Sequence, residues 1–490
     1  EKLFLDWVMK NSHEDCKFMN PSSKVQIGHL LFGSGEKEFE IANVDGYNPE
    51  NKKVPPAKRK IIIKGFGLEP VSETPTKRPQ VNGEVLEKLA GKPNGGDSYK
   101  QGLLYQTFFG NIPGKKLPIE LQNLEKILGL CHALHNLLKM TKNNTIINGF
   151  LSPLPKMTDK NGRIHASLNI NTETGRLSCK KPNLQNQPNA SQDAYNVRGA
   201  FCAEKGNKLI VADYSQLELR ILAAVTNCKS MKEAFKTGGD FHSRTAMGMY
   251  PEIEKALEKG DILLEWDYSK GNPPVPLLKD AYKTERNRAK VLNFSIAYGK
   301  TAHGLSNDWG VSVEQAQETL KSWYAARKEV EDWQDQVKKT GKNAEKPRTV
   351  TLLGRYRPLP DLKLKPSERR RQQGLSDEEK LEQRKENSQK LQRRGHAERA
   401  AINTPIQGGA ADVVNTAMVK LFQHEKLREM GWKLIMQVHD ELILEGPEGS
   451  AEEALGIVLD VMENPGLDEY MNGVPLQADA SIGDTWAECK

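Results

Sequence analysis

The sequence lacks any run approaching the roughly 18–20 continuous apolar residues of a membrane-spanning helix, so no membrane partner is expected. Its cysteines are few and scattered: Cys16, Cys131, Cys179, Cys202, Cys228 and Cys489 include no C-x-x-C pair. That pattern argues against a zinc site and a disulfide scaffold, and fits a reducing interior. Charge of neither sign dominates. A net charge of +7 on 490 residues only tilts the expectation toward an anionic partner. No signal or transit peptide is recognisable and the chain starts at Glu1 without Met, so a fragment or processed form is expected. The length points to two to four domains or subdomains.

Residues 33–80 are rich in Gly, Pro and Lys and read as a solvated flexible loop or a nucleic-acid contact. From 117 to 142, apolar residues at helical spacing predict an amphipathic helix. Helical patterns dominate 230–345, broken by GNPPVPLLKD (271–280). Residues 363–396 are almost wholly charged and polar and cannot bury a face of their own. They form either a disordered insertion or an exposed helix laced with ion pairs. AERAAINTPIQGGAADVV (397–414) predicts a helical stretch interrupted by Pro405 and Gly408-Gly409.

The chemistry-bearing residues sit between apolar runs. KLIMQVHDELILE (433–445) reads as a hairpin of two core strands interrupted by His439, Asp440 and Glu441, whose burial is costly without partners. LIVAD (209–213) ends another buried-type strand with Asp213. Two strands delivering Asp213 and Asp440 to one sheet edge would make a hard-oxygen site suited to Mg²⁺. A pair of such ions can activate an attacking hydroxyl and stabilise a leaving oxygen. Each Asp taken alone reads more readily as a turn or cap residue. In SQLE (215–218), Ser215 and Glu218 have the spacing of a helix capping box. In TERNRAKVLNFSIAYGK (284–300), Arg286, Lys290, Phe294 and Tyr298 recur every fourth residue on one helix face that Gly299 ends. Two cations followed by two aromatics suit a triphosphate beside a stacked base; a mixed face with a solvated basic end is the alternative. Arg399, Asn403 and Gln407 form a second such series, of donors able to meet nucleic acid.

Together and in this order, the set resembles the family A DNA polymerases from about residue 117 to the C-terminus. DYSQLELR (213–220) and QVHDE (437–441) are similar to the two catalytic motifs of the family, and RNRAKVLNFSIAYG (286–299) to its nucleotide-binding helix. TGRLS (174–178), PNLQN (182–186), GGDFHSRTA (238–246) and ERAAINTPIQG (398–408) are similar to supporting motifs. LNINTETGRLS, PPVPLLKDA and LNFSIAYGKT resemble the organellar branch found in plants, algae and other protists. The chain departs from bacterial members at Gln-Pro-Asn-Ala (187–190), where a hydrophobic-Pro-x-Arg segment is usual. One basic contact is therefore absent or supplied by a neighbour.

The resemblance implies an α+β, right-hand polymerase architecture with an antiparallel-sheet palm, helical fingers and a helical thumb. Residues 1–150 would be thumb, 151–232 and 397–490 palm, and 233–396 fingers, with the nucleotide-binding helix at 285–299. It implies template-directed addition of deoxynucleotides to a primer 3′-hydroxyl by a monomer in plastid or mitochondrion, in replication and repair. Asp213, Asp440 and the Tyr214 carbonyl would hold two Mg²⁺ ions, with Glu441 tuning the site. Arg286, Lys290 and His242 would hold the triphosphate of the deoxynucleoside, and Lys290 would protonate the leaving pyrophosphate. Phe294 and Tyr298 would frame base and sugar, with Gln216 beside them. Glu218 would block a ribose 2′-hydroxyl, and Phe294 in place of Tyr implies rejection of dideoxynucleotides. Arg176, Asn183, Gln185, Asn186, Arg399, Asn403, Gln407 and His439 would contact primer-template DNA. Segments 33–80 and 363–396 are candidates for strand displacement and damage bypass, and no exonuclease set is visible upstream of 164. A bacterial- or phage-type repair polymerase, an inactive DNA-binding relative, a two-metal nuclease and a single-subunit RNA polymerase are the competing readings. Glu218 and Phe294 disfavour the last.

Overall fold

The computed structural model describes residues 1–42, 58–74, 76–92, 102–188, 195–237, 240–266, 271–365 and 376–489. The chain divides into two compact units, Glu1–Arg163 and Ile164–Lys490. In the first, α1 (Lys2–Asn11) and α2 (Lys24–Phe32) precede an antiparallel pair, β1 (Ser34–Ala42) and β2 (Lys58–Phe66). Helices α3 (Gly83–Ala90), α4 (Leu103–Phe108) and α5 (Leu124–Ile146) follow. Asn123 caps α5 through the Glu125 amide at 2.8 Å, so the predicted helix starts later than 117. Phe4, Leu30, Ile61, Ile63, Leu86, Leu130 and Leu134 form the core.

The expectation of a flexible loop over 33–80 fails for 34–42 and 58–66. Ile61 and Ile63 alternate along β2 and supply one apolar face to bury, while Lys58–Glu40 and Lys60–Glu38 pair across the solvated side. Residues 43–57 and 75 lie outside the described residues.

The second unit opens with a short hairpin, β3 (Ser167–Asn169) and β4 (Ser178–Lys180), then strand β5 (Asn207–Tyr214). Helices α6 (Leu217–Thr226), α7 (Lys229–Lys236), α8 (Phe241–Met249), α9 (Pro251–Glu258) and α10 (Leu278–Ala281) lead to α11 (Lys283–Ala297). Next come α12 (Ala302–Trp309), α13 (Val313–Ala325), α14 (Lys328–Asn343) and a small hairpin of β6 (Arg348–Val350) and β7 (Tyr356–Pro358). The 47-residue α15 (Asp377–Gln423) and short α16 (Glu425–Glu429) precede β8 (Lys433–Val438), β9 (Glu441–Pro447), α17 (Ala451–Glu463), α18 (Asp468–Met471) and β10 (Ala478–Gly483).

Strands β10, β5, β9 and β8 form one antiparallel sheet in that order. Alternate residues of β5 and β9 (Ile210, Ala212, Leu442 and Leu444) join the main core with α6, α15 and α17. Leu209, Val211 and Ile443 enter a smaller cluster around Trp486. Burial on both faces explains why these strands read as continuous apolar runs.

Helix α15 corrects one expectation and decides another. It runs unbroken through Pro405 and both glycines. Proline removes the donor that would meet the Ala401 carbonyl, and Thr349 Oγ1 donates to that oxygen instead at 3.0 Å. Gly408 and Gly409 give room rather than a break. A Cβ at 408 would lie 2.4 Å from Thr351 Cγ2, and one at 409 would lie 3.1 Å from Ile221 Cγ2. The polar start is an exposed helix with ion pairs, Lys390–Glu386 at 2.7 Å and Arg394–Glu398 at 2.9 Å among them. Ser376 and Glu379 form its capping box. Residues 366–375 lie outside the described residues.

Buried Asp412 ties this helix to the preceding loop. It accepts from Arg355 Nε at 2.6 Å and the Leu353 amide at 3.0 Å, while Arg355 Nη2 reaches the carbonyls of Thr174 and Gly408. Arg355→Met leaves a buried carboxylate with only the Leu353 amide and should lower stability by roughly 1–3 kcal/mol, since Arg355 itself is partly exposed. Denaturant melts check this, and adding Asp412→Asn should recover part of the loss.

Candidate active site

Strand β5 ends at Asp213 and Tyr214, beside the two-residue turn His439–Asp440 that joins β8 to β9. Asp213 pairs in register with Glu441 on one side and with Asp479 on the other. Cross-strand neighbours share a sheet face, so three carboxylates form a row there. The Tyr214 amide donates to the Asp440 carbonyl at 3.2 Å, which locks turn to strand. His439 holds φ +60°, a left-handed conformation uncommon outside glycine that Asn, Asp and His adopt more often than other residues. Gln437 Nε2 donates to the His439 carbonyl, and Gln185 Nε2 donates to Gln437 Oε1 at 3.0 Å. Gln185 thus braces the turn from 252 residues away in sequence.

Burial, and then the neighbouring charge of Asp213, pushes the Asp440 carboxyl up to about 6. Glu441 is held differently: Trp486 Nε1 donates to its Oε1 at 2.7 Å. The Tyr214 ring is in the core with its hydroxyl on the Met462 carbonyl at 2.7 Å. Only its main chain is therefore available at the strand end.

The Ser215–Glu218 capping box is not formed. The N-cap of α6 is Gln216 at φ +55°, without a side-chain cap bond. Arg220 fixes this start by donating from Nε to the Ser215 carbonyl at 2.8 Å and from Nη1 to the Pro475 carbonyl at 2.7 Å. Glu218 is buried, and its two oxygens are taken by Arg176 Nη2 and by the Tyr298 hydroxyl, the latter at 2.5 Å. Those partners lie on other elements, which outbids a local cap. Gln407 also hydrogen-bonds Tyr298. Arg176, Glu218, Asn415, Gln437, His439 and Asp440 line one cleft.

A second group surrounds the start of α8. Asp240 caps this helix through the amides of His242 and Ser243, and takes Arg286 Nε at 2.5 Å. Burial works against the Asp240 charge, but Arg286 and Ser243 hold its carboxyl below the usual range. Gln216 Nε2 reaches Asp240 Oδ1 at 3.5 Å. The His242 ring is buried, with its pKa pushed down to about 4 by that burial. Its centroid lies 5.6 Å from that of Phe294, and Phe294 lies 6.0 Å from Tyr298. Gly299 takes φ +63° just past α11, as the stop requires.

Of the remaining expected residues, Lys290 and Arg399 are exposed. Asn183 caps the 3-10 turn Leu184–Asn186 through the Gln185 amide. Asn403 keeps a buried Oδ1 that has no partner among the described residues. Asn189 and Ala190 of the departing segment lie outside the described residues, but Arg198 Nε donates to the Pro188 carbonyl at 2.9 Å and its guanidinium lies over Trp486. A neighbouring cation thus stands at that place.

Asp240, Arg220, Gln437 and Asn293 were not singled out from sequence. Asp240 carries a signal, two positions before His242 in GGDFHSRTA. The others are ordinary polar residues until their partners are known.

Asp213, Asp440 and the Tyr214 carbonyl make an all-oxygen donor set. Among the described residues no group of three or more His, Cys, Asp or Glu side chains is suited to a metal ion. Two carboxylates and a carbonyl fit Mg²⁺, which keeps waters and shares substrate phosphates. The raised Asp440 carboxyl marks a place where added positive charge is welcome.

The family model of DNA polymerase family A matches residues 113–259 and 275–488. "DNA polymerase I A, chloroplastic" of Oryza sativa subsp. japonica is 43% identical, over 99% of this chain and 47% of that protein. "DNA polymerase I B, chloroplastic/mitochondrial" of Arabidopsis thaliana is 42% identical, over 99% and 48%. The chain spans about half the length of these relatives. In structure it is similar to the "POL domain of Pol1 from M. smegmatis" in complex with DNA primer-template and dNTP. That likeness has a TM-score of 0.61 at 25% identity, covering 99% of this chain and 65% of the other.

Proposed function

This chain belongs to DNA polymerase family A, and from that premise we propose that it extends a primer 3′-hydroxyl with deoxynucleotides on a DNA template, in plastids or mitochondria. The observation that carries the reading is the meeting of Asp213 with the Asp440 turn beside the Arg176–Glu218–Tyr298 cluster. Family A polymerases depend on divalent metal ions. Two Mg²⁺ ions bound here would favour ionisation of the attacking hydroxyl and offset charge on the phosphates.

The chain's own residues then position the reactants. Asp213, Asp440 and the Tyr214 carbonyl hold the ions, while Trp486 keeps Glu441 to one side, where its charge tunes them. Arg286 rests on Asp240 and is handed to the triphosphate, with Lys290 and His242 beside it. Lys290 is placed to protonate the leaving pyrophosphate. Phe294, Tyr298 and Gln216 frame base and sugar over Glu218. Arg176, Asn183, Gln185, Asn186, Arg399, Asn403, Gln407 and His439 follow the DNA through backbone and minor groove. In this reading residues 1–150 are thumb, 233–396 fingers and the sheet palm.

Incubation with an end-labelled primer-template, four deoxynucleotides and Mg²⁺ tests the proposal. Template-dependent lengthening of the primer is expected; shortening without growth, or no change, overturns it. A fluorescent fusion of the full reading frame tests the compartment.

A further inference from the structure

Behind the nucleotide-side face of α11 a buried polar chain leads to His242 through Trp323 and Asn293, which none of these roles uses. It starts at Trp323 of α13, whose indole N–H can only donate. That group meets Asn293 Oδ1 at 3.0 Å, which settles which way the amide points. Asn293 Nδ2 then faces His242 Nδ1 at 3.1 Å and Thr245 Oγ1 at 3.0 Å. Thr245 gives its own proton to the Phe241 carbonyl at 2.9 Å. An amide NH₂ has only protons to offer, so Nδ1 of the imidazole accepts, and the ring proton of neutral His242 sits on Nε2.

The four side chains are almost wholly buried: Asn293 is 0% exposed, Thr245 and His242 3%, and Trp323 4%. Nε2 has no hydrogen-bond partner among the described residues. This atom is not among the polar atoms sealed from solvent without a partner, so its N–H is open to an incoming acceptor. The charged groups that act on the ring are Asp240 from the cap of α8, and Arg286 and Lys290 from α11. Two of the three are cations, and an anion suits the space they address.

We propose that Asn293, locked by Trp323, is a positioning residue that holds His242 as the Nε2–H tautomer and so presents an N–H to a phosphate of the incoming nucleotide. This rests on His242 being a nucleotide ligand. The opposite tautomer would turn a lone pair toward the phosphate and repel it.

Two substitutions at one position separate this role from simple packing. Asn293→Asp keeps the volume and still accepts from Trp323, but offers His242 Nδ1 an acceptor in place of a donor. At pH 6 the ring should be doubly protonated and bind deoxynucleoside triphosphate as the parent does. At pH 8.5 it should become the Nδ1–H tautomer and bind roughly tenfold or more weakly. The parent measured at both values is the baseline, because the Asp440 carboxyl and the terminal phosphate change charge over the same range, and each variant is read as its ratio to the parent. Asn293→Leu, which leaves Nδ1 without either kind of partner, should weaken binding at both. Nitrogen chemical shifts of labelled histidine report the tautomer without nucleotide, equilibrium titration gives Kd, and melting temperatures report folding. An Nδ1–H tautomer in the parent overturns the inference whatever the affinities. Equal weakening of both variants at both pH values, in step with lost stability, also overturns it, since that is what packing alone predicts. If tautomers change as stated and Kd does not follow, His242 is not a nucleotide ligand, and the functional half falls while the Asn293–His242 linkage stands.

Discussion

Asp440→Asn should lose primer extension by roughly a thousandfold or more, about 4 kcal/mol of barrier at 1.36 kcal/mol per tenfold, and yet melt at a higher temperature than the parent. The first half follows from removing one of two carboxylates around which the proposed chemistry is organised. The second follows from the environment of Asp440. Its folded-state carboxyl is raised from 3.8 to about 6, chiefly by burial and then by Asp213. A carboxyl raised on folding contributes stability that is fully present below the unfolded value and is lost as pH rises through the folded one. At neutral pH the charge is therefore a burden of up to roughly 3 kcal/mol, which a neutral isostere removes. The difference in melting temperature between parent and variant should be largest above pH 7 and should close as pH falls from about 6 toward 4. Mg²⁺ should raise the melting temperature of the parent far more than that of the variant. Rapid-quench extension and calorimetry at several pH values check both halves. Robust extension by Asp440→Asn would sink the assignment of the metal site.

Glu218→Ala should raise ribonucleotide incorporation relative to deoxynucleotide by roughly a hundredfold, near 2.7 kcal/mol. A gate against one hydroxyl works only if it cannot yield. Both oxygens of Glu218 are pinned, one by Arg176 and one by Tyr298, within a buried setting. The gap cannot widen without breaking a charged pair whose carboxylate is buried, which is costly. Alanine removes the obstacle and also leaves Arg176 and Tyr298 without their common acceptor, so deoxynucleotide incorporation should slow as well. Glu218→Gln separates the two effects. It keeps the bulk and gives up the charge, so sugar selectivity should persist while rate falls. Competition between matched ribo- and deoxynucleotides at a single template position measures the ratio. Unchanged selectivity in the alanine variant removes the gate role.

What could be read in advance was the local part of the site. LIVAD and KLIMQVHDELILE declare strands through their apolar runs, and the register of β5 on β9 then brings their acidic ends together. The four-residue recurrence from Arg286 to Tyr298 declares a helix face, and the structure has that helix. Misreadings arose where a distant group decided the outcome. Pro405 breaks a helix by rule, but Thr349, far back in the chain, meets the carbonyl it frees. Ser215 and Glu218 match a cap until Arg176 and Tyr298 claim the carboxylate. Residues 34–42 and 58–66 look like loop because the pattern is judged against a Gly- and Lys-rich background, although Ile61 and Ile63 alternate correctly. Asn293 is the plainest case. Nothing local distinguishes it from any helical asparagine, and its meaning depends on a tryptophan 30 residues onward.

Helix α15 also has a mechanical meaning. At 1.5 Å per residue its 47 residues form a rod about 70 Å long, and the stretch before Pro405 is about 40 Å of that. Asn403 and Gln407 flank Pro405; Ala397, Ala400 and Ala401 pack with Leu359 and Leu362, Arg393 pairs with Asp361, and the start of the helix beyond them is exposed. A tilt of about five degrees around Pro405 shifts Gln407 by a fraction of an ångström but sweeps Asp377 through roughly 4 Å, taking the same helical rise. The far tip is thus a pointer needle for the cleft: a spin label there reads out, magnified, rearrangements too small to see where they begin.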